Sequence, residues 1–394
     1  MRNIKAYFIL FAFISWSILS ILVSIVDSPI VARAWQMTVF IVIGFAAFAF
    51  ISQPNILSNK IIRVLLVWGM YVSFVNLLFV GNTGFGYFTT FIDVIWFPSV
   101  FVLFYSIFIS DKSGNLYNKL VKGFPPVYFV LFLLILYKMV FHFGSIYFGV
   151  LIADEINTVF WVLLLVPFAF LVERRFLKYI ILISTFILVL VSTKRSATIA
   201  ISLVICMSLI NDFFIRKKAL IGIPFGIILL FILVSIFNET ISRVNINVLD
   251  RIQETNVYEE SRMDLLIESW EKYQNKSLLM KIIGSGHRST GYDRGIDMLS
   301  KTSHNDFFEV LYNYGIIGSI LYFYFVWQIS KRLIQLKRIG GKYFHSYLAS
   351  YIIFMVLSMV SHLVIYPSYF AFLLFLWALM EKKIQEIYPV LNKR

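Results

Sequence analysis

The sequence predicts an all-α integral membrane protein of about twelve transmembrane helices, with one long outer polar loop that contains a short amphipathic helix. Three observations predict it. Of the 394 residues, 60% are hydrophobic and 18% aromatic, and the mean hydropathy is +0.83, far above what a water-solvated core requires. The apolar residues fall in runs of about 20, the length a helix needs to cross roughly 30 Å of hydrocarbon. Lys and Arg collect in alternate connections between those runs, the pattern of cytoplasmic loops.

The runs cover residues 6–26, 36–52, 62–81, 88–110, 125–147, 157–173, 177–193, 196–212, 219–237, 307–329, 345–365 and 367–384. The first is long enough to span and no small-residue cleavage site follows its apolar centre, so it is expected to be a retained helix rather than a signal peptide. With the N-terminus inside, the cytoplasmic segments carry Arg2 and Lys5, Lys60 and Arg63, Lys112 and Lys119, Arg174 and Arg175, Arg216 to Lys218, Lys331 and Arg332, and Lys382 and Lys383. The short outer loops are nearly bare of positive charge, so both termini are expected in the cytoplasm. The net charge of +14 is scattered between apolar runs rather than gathered on one polar surface, which argues against nucleic acid as a partner. Cys206 is the single cysteine, so no intramolecular disulfide can form.

This alternation divides the chain into nine helices over 1–237, a long outer loop over 238–306, and three helices with a cytoplasmic tail over 307–394. A connection of that length is far above the usual and points to structure and function of its own. Within it, residues 258–274 have helical spacing: Met263, Leu266, Ile267 and Trp270 recur against Glu259, Glu260, Glu268 and Glu271. An amphipathic helix on the membrane surface or over a cavity is expected there.

At the end of the loop stands Ser303-His304-Asn305-Asp306. Ser followed three residues later by Asp fits a capping box, which would put His304 in the first turn of the next helix. The positive end of the helix dipole there disfavours imidazolium and leaves the ring able to accept a proton, as a general base must. A histidine that merely caps a helix at the interface fits the spacing equally well. Arg195 sits beside Lys194 in a tight outer turn; Arg262, Arg251, Arg288 and Arg294 lie in the long loop. Guanidinium forks pair bidentately with phosphate oxygens and keep their charge when partly buried, although each could equally meet a lipid headgroup or an acidic neighbour. Gly315 and Ser319, four apart inside the tenth run, would let another helix approach closely. Lys138, His142, Asp93, Glu309 and His362 fall within spans. Such groups either line a polar chamber or pair to hold helices together, Lys138 with Asp93 or Glu309.

The stretch His304-Asn305, nine residues, then Gly315-x-x-Gly318 resembles the signature of the O-antigen ligase and polymerase superfamily. Its surroundings agree: Thr193-Lys194-Arg195-Ser196, Glu260-Ser261-Arg262 with Trp270 downstream, and Ile282-Ile283-Gly284-Ser285-Gly286, in the family's order over about residues 190–330. The family's glycine-rich segment often has proline near it, and this loop has none. The resemblance implies transfer of a glycan from undecaprenyl diphosphate to an acceptor hydroxyl on the periplasmic face of the bacterial inner membrane. It implies His304, Arg195 and Arg262 as catalytic residues, with Lys194, Arg251, Arg288 and Asn305 as candidates for substrate binding. The partners are then undecaprenyl-diphosphate-linked oligosaccharides and membrane lipids, with a chain-length regulator as a further candidate. The donor carries its own activated linkage, so no cofactor is expected; no tight ligand cluster suggests a metal.

O-antigen polymerase is the preferred reading, because the chain is very rich in Phe and Tyr and its loop matches the shared motif loosely. An O-antigen ligase, which uses lipid A core as acceptor, is the near alternative. A lipid-linked oligosaccharide flippase also has about twelve spans, but transporters of that kind are built from repeated halves with short loops.

Overall fold

The computed structural model describes residues 2–23, 28–79, 87–111, 114–146, 158–192, 194–216, 262–292, 303–361, 363 and 367–391. All regular structure among them is helical. The first eight helices are α1 (Arg2–Val23), α2 (Pro29–Ser52), α3 (Lys60–Leu78), α4 (Tyr87–Ser110), α5 (Asn115–Ile146), α6 (Val159–Ala169), α7 (Arg175–Val191) and α8 (Arg195–Arg216). Three short helices, α9 (Arg262–Gln274), α10 (Leu278–Ile283) and α11 (Ser289–Tyr292), precede α12 (Asp306–Ile339), α13 (Gly341–Val360) and α14 (Pro367–Leu391). The run at 219–237 lies outside the described residues.

Five helical stretches are long and apolar enough to cross a membrane: Pro29–Ser52, Lys60–Leu78, Asn115–Met139, Asp306–Ile339 and Gly341–Val360. Shorter apolar stretches stand at Leu10–Val23, Val94–Ser110, Val159–Ala169 and Ser196–Asn211. These helices mark a membrane protein. Every residue of α6 is buried, and so is the stretch from Phe370 to Lys382 in α14, because other helices surround both. Rings from four helices interlock in the core: Phe13 stacks on Phe375 at 5.0 Å, and Trp16 meets Trp96 at 4.8 Å and Trp161 at 5.4 Å. Phe11, Met37, Phe48 and Phe176 point outward and are more than half exposed, a surface that suits lipid rather than water.

Helices α3 and α12 pack together and carry polar clusters at opposite ends. At the start of α3, Asn59 caps the helix by accepting from Ile61 N (2.8 Å), and its amide donates to Glu381 (2.7 Å). Arg332, in the last third of α12, reaches the same carboxylate with Nε at 2.6 Å. The other end of the pair holds the candidate site.

Candidate functional site

Gly315 breaks α12 with φ 64° and ψ −168°, a conformation only glycine adopts readily. The break frees carbonyl groups from the helix ladder, and the glycine-rich segment after α10 takes one of them. The Asn313 carbonyl accepts from Ser285 N (3.0 Å) and Gly286 N (2.9 Å). From α3, the Tyr71 hydroxyl lies within donating distance of Ile283 O (2.7 Å) and Tyr314 O (3.0 Å). The two backbones nearly touch: a Cβ at Gly315 would lie 2.4 Å from Ile282 O, and one at Gly284 (φ 102°) 2.3 Å from Asn313 O. Gly315 therefore admits the end of the short helix α10 and the glycine-rich segment that follows it, while the Ser319 hydroxyl bonds back to the Gly315 carbonyl.

Nearly two helical turns before the break, Glu309 is fully buried. Its Oε1 accepts from Ser303 N (2.6 Å) and Ser303 Oγ (2.8 Å). Its Oε2 accepts from Asn313 Nδ2 (3.2 Å) and from Thr290 Oγ1. Glu309 thus bonds these groups and not Lys138, the partner considered from sequence; the side chains of Asp93 and His142, and residue His362, lie outside the described residues. Ser303 is consequently not the helix cap. Asn305 is: its Oδ1 accepts from Phe308 N (3.0 Å), while its Nδ2 donates to Met359 O at the end of α13 (3.1 Å). His304 stands ahead of α12, outside the first turn in which the capping-box reading put it.

His304 is half-buried and has φ 53°; Arg288 has φ 58°. They are the only non-glycine residues with positive φ among the described residues. Each such backbone costs about 1–3 kcal/mol and persists only where its surroundings over-determine it, a pattern concentrated at functional sites.

Helix α9 lies over the start of α12. Trp270 meets Phe308 (6.2 Å between ring centroids) and Tyr273 meets Tyr312 (6.4 Å), while the Lys276 ammonium sits 3.3 Å from the centre of the Tyr312 ring and donates to Ser285 Oγ. The buried stripe of α9 is Leu265, Ser269 and Tyr273, one position away from the stripe expected. Small Ser269, bonded back to Leu265 O (2.7 Å), fits beneath the helix, and Ile267 and Trp270 stay about half exposed. The Tyr273 hydroxyl is raised above its usual pKa by burial.

Residues 179–323 match the family model described as O-antigen ligase. Over this segment the chain is similar to the O-antigen ligase and polymerase superfamily. The match runs from α7 to just past the break in α12 and covers a little over a third of the chain. No curated protein sequence matches the chain. Inside the matched segment, Glu309 ties Ser303, the neighbour of His304, to Thr290, two residues beyond Arg288. Lys194 occupies the turn ahead of α8, where its carbonyl accepts from Thr198 N (3.0 Å). Arg195 and Arg262 open α8 and α9, but their side chains, like all of Arg251, lie outside the described residues.

Glu309 was singled out only as a charge inside a span, and other residues of the candidate site escaped the sequence reading: Asn313 and Thr290, then Tyr71, Asn76 and His287. Only the spacing Asn305, Glu309, Asn313, a polar stripe on an otherwise apolar helix, signals some of them. His287 donates its backbone N–H to Asn76 Oδ1 (2.7 Å), and its Nδ1 meets the Tyr314 hydroxyl (2.5 Å). Burial, and then the nearby Arg288 charge, hold its pKa well below the usual 6.5.

Proposed function

We propose that the chain is an O-antigen polymerase, a glycosyltransferase that joins undecaprenyl-diphosphate-linked oligosaccharides at the periplasmic face of the bacterial inner membrane, with both termini cytoplasmic. The observation that carries this reading is the strained His304 hairpin, fastened by Glu309 to the glycine-rich segment that bears Arg288. In the proposed reaction His304 takes the proton of an acceptor sugar hydroxyl as that oxygen bonds to the donor's anomeric carbon. The bond from that carbon to the diphosphate breaks, and its electron pair leaves on undecaprenyl diphosphate, whose charge Arg195 and Arg262 neutralise. Lys194, Arg251 and Arg288 add positive charge along the donor's path, and Asn305 fixes the hairpin that carries the base. Holding two lipid-anchored substrates in one hollow supplies further acceleration. No metal enters the scheme, so activity is expected to survive a chelator.

The ligase alternative has the matched model's own description in its favour. Lipopolysaccharide from a deletion strain separates the two: a single repeat on each core means a polymerase, and bare core means a ligase. Returning the wild-type gene should restore long chains, whereas the His304→Ala gene should yield inserted protein without them. Normal long chains from His304→Ala would end the proposal.

A further inference from the structure

We propose that Glu309 is a positioning residue for His304, setting both the direction of its imidazole and its place relative to the segment that bears Arg288. The inference rests on the reading of His304 as the base, and it starts from how the hairpin is held. Both neighbours of His304 are pinned. Ser303 gives its backbone N–H and its hydroxyl to one oxygen of Glu309, at 2.6 and 2.8 Å. Asn305 is fixed at both ends of its amide, to Phe308 N at 3.0 Å and Met359 O at 3.1 Å. Between two fixed residues the His304 backbone has little choice, and it takes the left-handed conformation with φ 53°. From there the ring leaves the chain in a direction that a residue in the helix would not give it.

The second oxygen of Glu309 faces the other way and accepts from Thr290 Oγ1 and from Asn313 Nδ2 at 3.2 Å. The Asn313 amide cannot turn round, because its Oδ1 accepts from Ser289 Oγ at 2.9 Å. One carboxylate therefore joins the hairpin to the segment that holds Arg288. The chemistry requires a carboxylate: its two oxygens offer about four acceptor sites, matching the four donors around it. A glutamine would keep one acceptor oxygen and turn an amino group toward Thr290 and the fixed Asn313 donor. The Ser303 side of the bridge could survive such a change, and the Asn313 side could not.

The test uses the full-length protein in nanodiscs, with lipid-linked oligosaccharide extracted from the strain that makes it as both donor and acceptor. Glu309→Gln is expected to lower kcat about 100-fold, the scale of a misplaced reacting group, with KM within about threefold of wild type. A kcat within threefold of wild type, or a raised KM with kcat unchanged, would overturn the positioning role. If Glu309→Gln does not yield monodisperse protein, Ser303→Ala decides, since it removes one bond and leaves the backbone N–H in place. About a tenfold drop in kcat at constant KM supports the role; an unchanged kcat overturns it. His304→Ala is run beside them: an active His304→Ala refutes the base itself, whereas an inactive one with active Glu309→Gln and Ser303→Ala refutes only the positioning.

Discussion

Replacing Gly315 by alanine perturbs the site by a single methyl group, and the structure sets the size of the effect. The new Cβ would lie 2.4 Å from Ile282 O and 2.6 Å from Gly284 N, where real contacts begin near 3 Å. The loop must retreat by about 0.6–1 Å, which stretches the bonds from Ser285 N and Gly286 N to Asn313 O beyond hydrogen-bonding range. Each lost bond is worth about 0.5–1.5 kcal/mol, and alanine at this backbone conformation costs about 1–3 kcal/mol. The variant should therefore be destabilised by about 2–6 kcal/mol, and its activity should fall with the displaced Arg288 segment. Thermal unfolding of the detergent-solubilised protein, followed by loss of monodisperse material, measures the first effect; chain extension measures the second. Gly44→Ala serves as reference, because a Cβ there meets nothing within 4 Å in a regular helix, and it should be neutral or stabilising by up to about 1 kcal/mol. A Gly315→Ala protein that unfolds at the same temperature as Gly44→Ala and extends chains normally would refute the close backbone approach.

His287 is held neutral in the fold while its unfolded value is near 6.5, so below that pH the unfolded chain binds the extra proton. Its contribution is complete above about pH 6.5 and is lost as pH falls toward the depressed folded value; stability should fall on acidification by up to about 1.4 kcal/mol per pH unit more than in His287→Gln, read as a steeper drop of the thermal midpoint, and parallel pH curves would contradict this. Asn305→Ala should cost about 1 kcal/mol from the lost cap, with the Met359 bond lost as well, and should lower activity through the hairpin; an unaltered midpoint and rate would argue against the cap. Glu381→Ala strands Arg332 and should destabilise by about 3–5 kcal/mol, whereas replacing both partners by Leu and Met should cost less; equal losses would mean that the pair is not coupled. Incubation with EDTA should leave glycan transfer intact, and loss of activity restored by a divalent ion would bring a metal into the scheme.

Much of the bundle was legible because lipid enforces a simple rule: a helix that crosses it must be apolar over its whole length. Helices stand at the runs read at 36–52, 62–81, 307–329 and 345–365, and each is long enough to cross. The helix at 307–329 continues to Ile339 because its last turns, with Lys337 and Arg338, suit a polar end. The site was legible only where a motif named it. His304, Arg288 and the glycines of 284–286 could be singled out, but the break at Gly315 could not, since the same spacing occurs in straight membrane helices. For Glu309 the sequence left a polar chamber and a helix-pairing charge equally open, because three of its four donors come from Thr290 and Ser303, which only the folded loop brings back to it. The surface of α9 that is buried turned on Ser269, a small polar residue that hydrophobic periodicity does not weigh.

Glycan transfer by the isolated protein tests the central claim most directly. Wild-type chain in nanodiscs, given lipid-linked oligosaccharide alone, should yield longer lipid-linked chains and one undecaprenyl diphosphate for each bond formed. The His304→Ala chain, and those with Arg195→Ala or Arg262→Ala, should yield neither. Chain growth at the wild-type rate by His304→Ala would contradict the account.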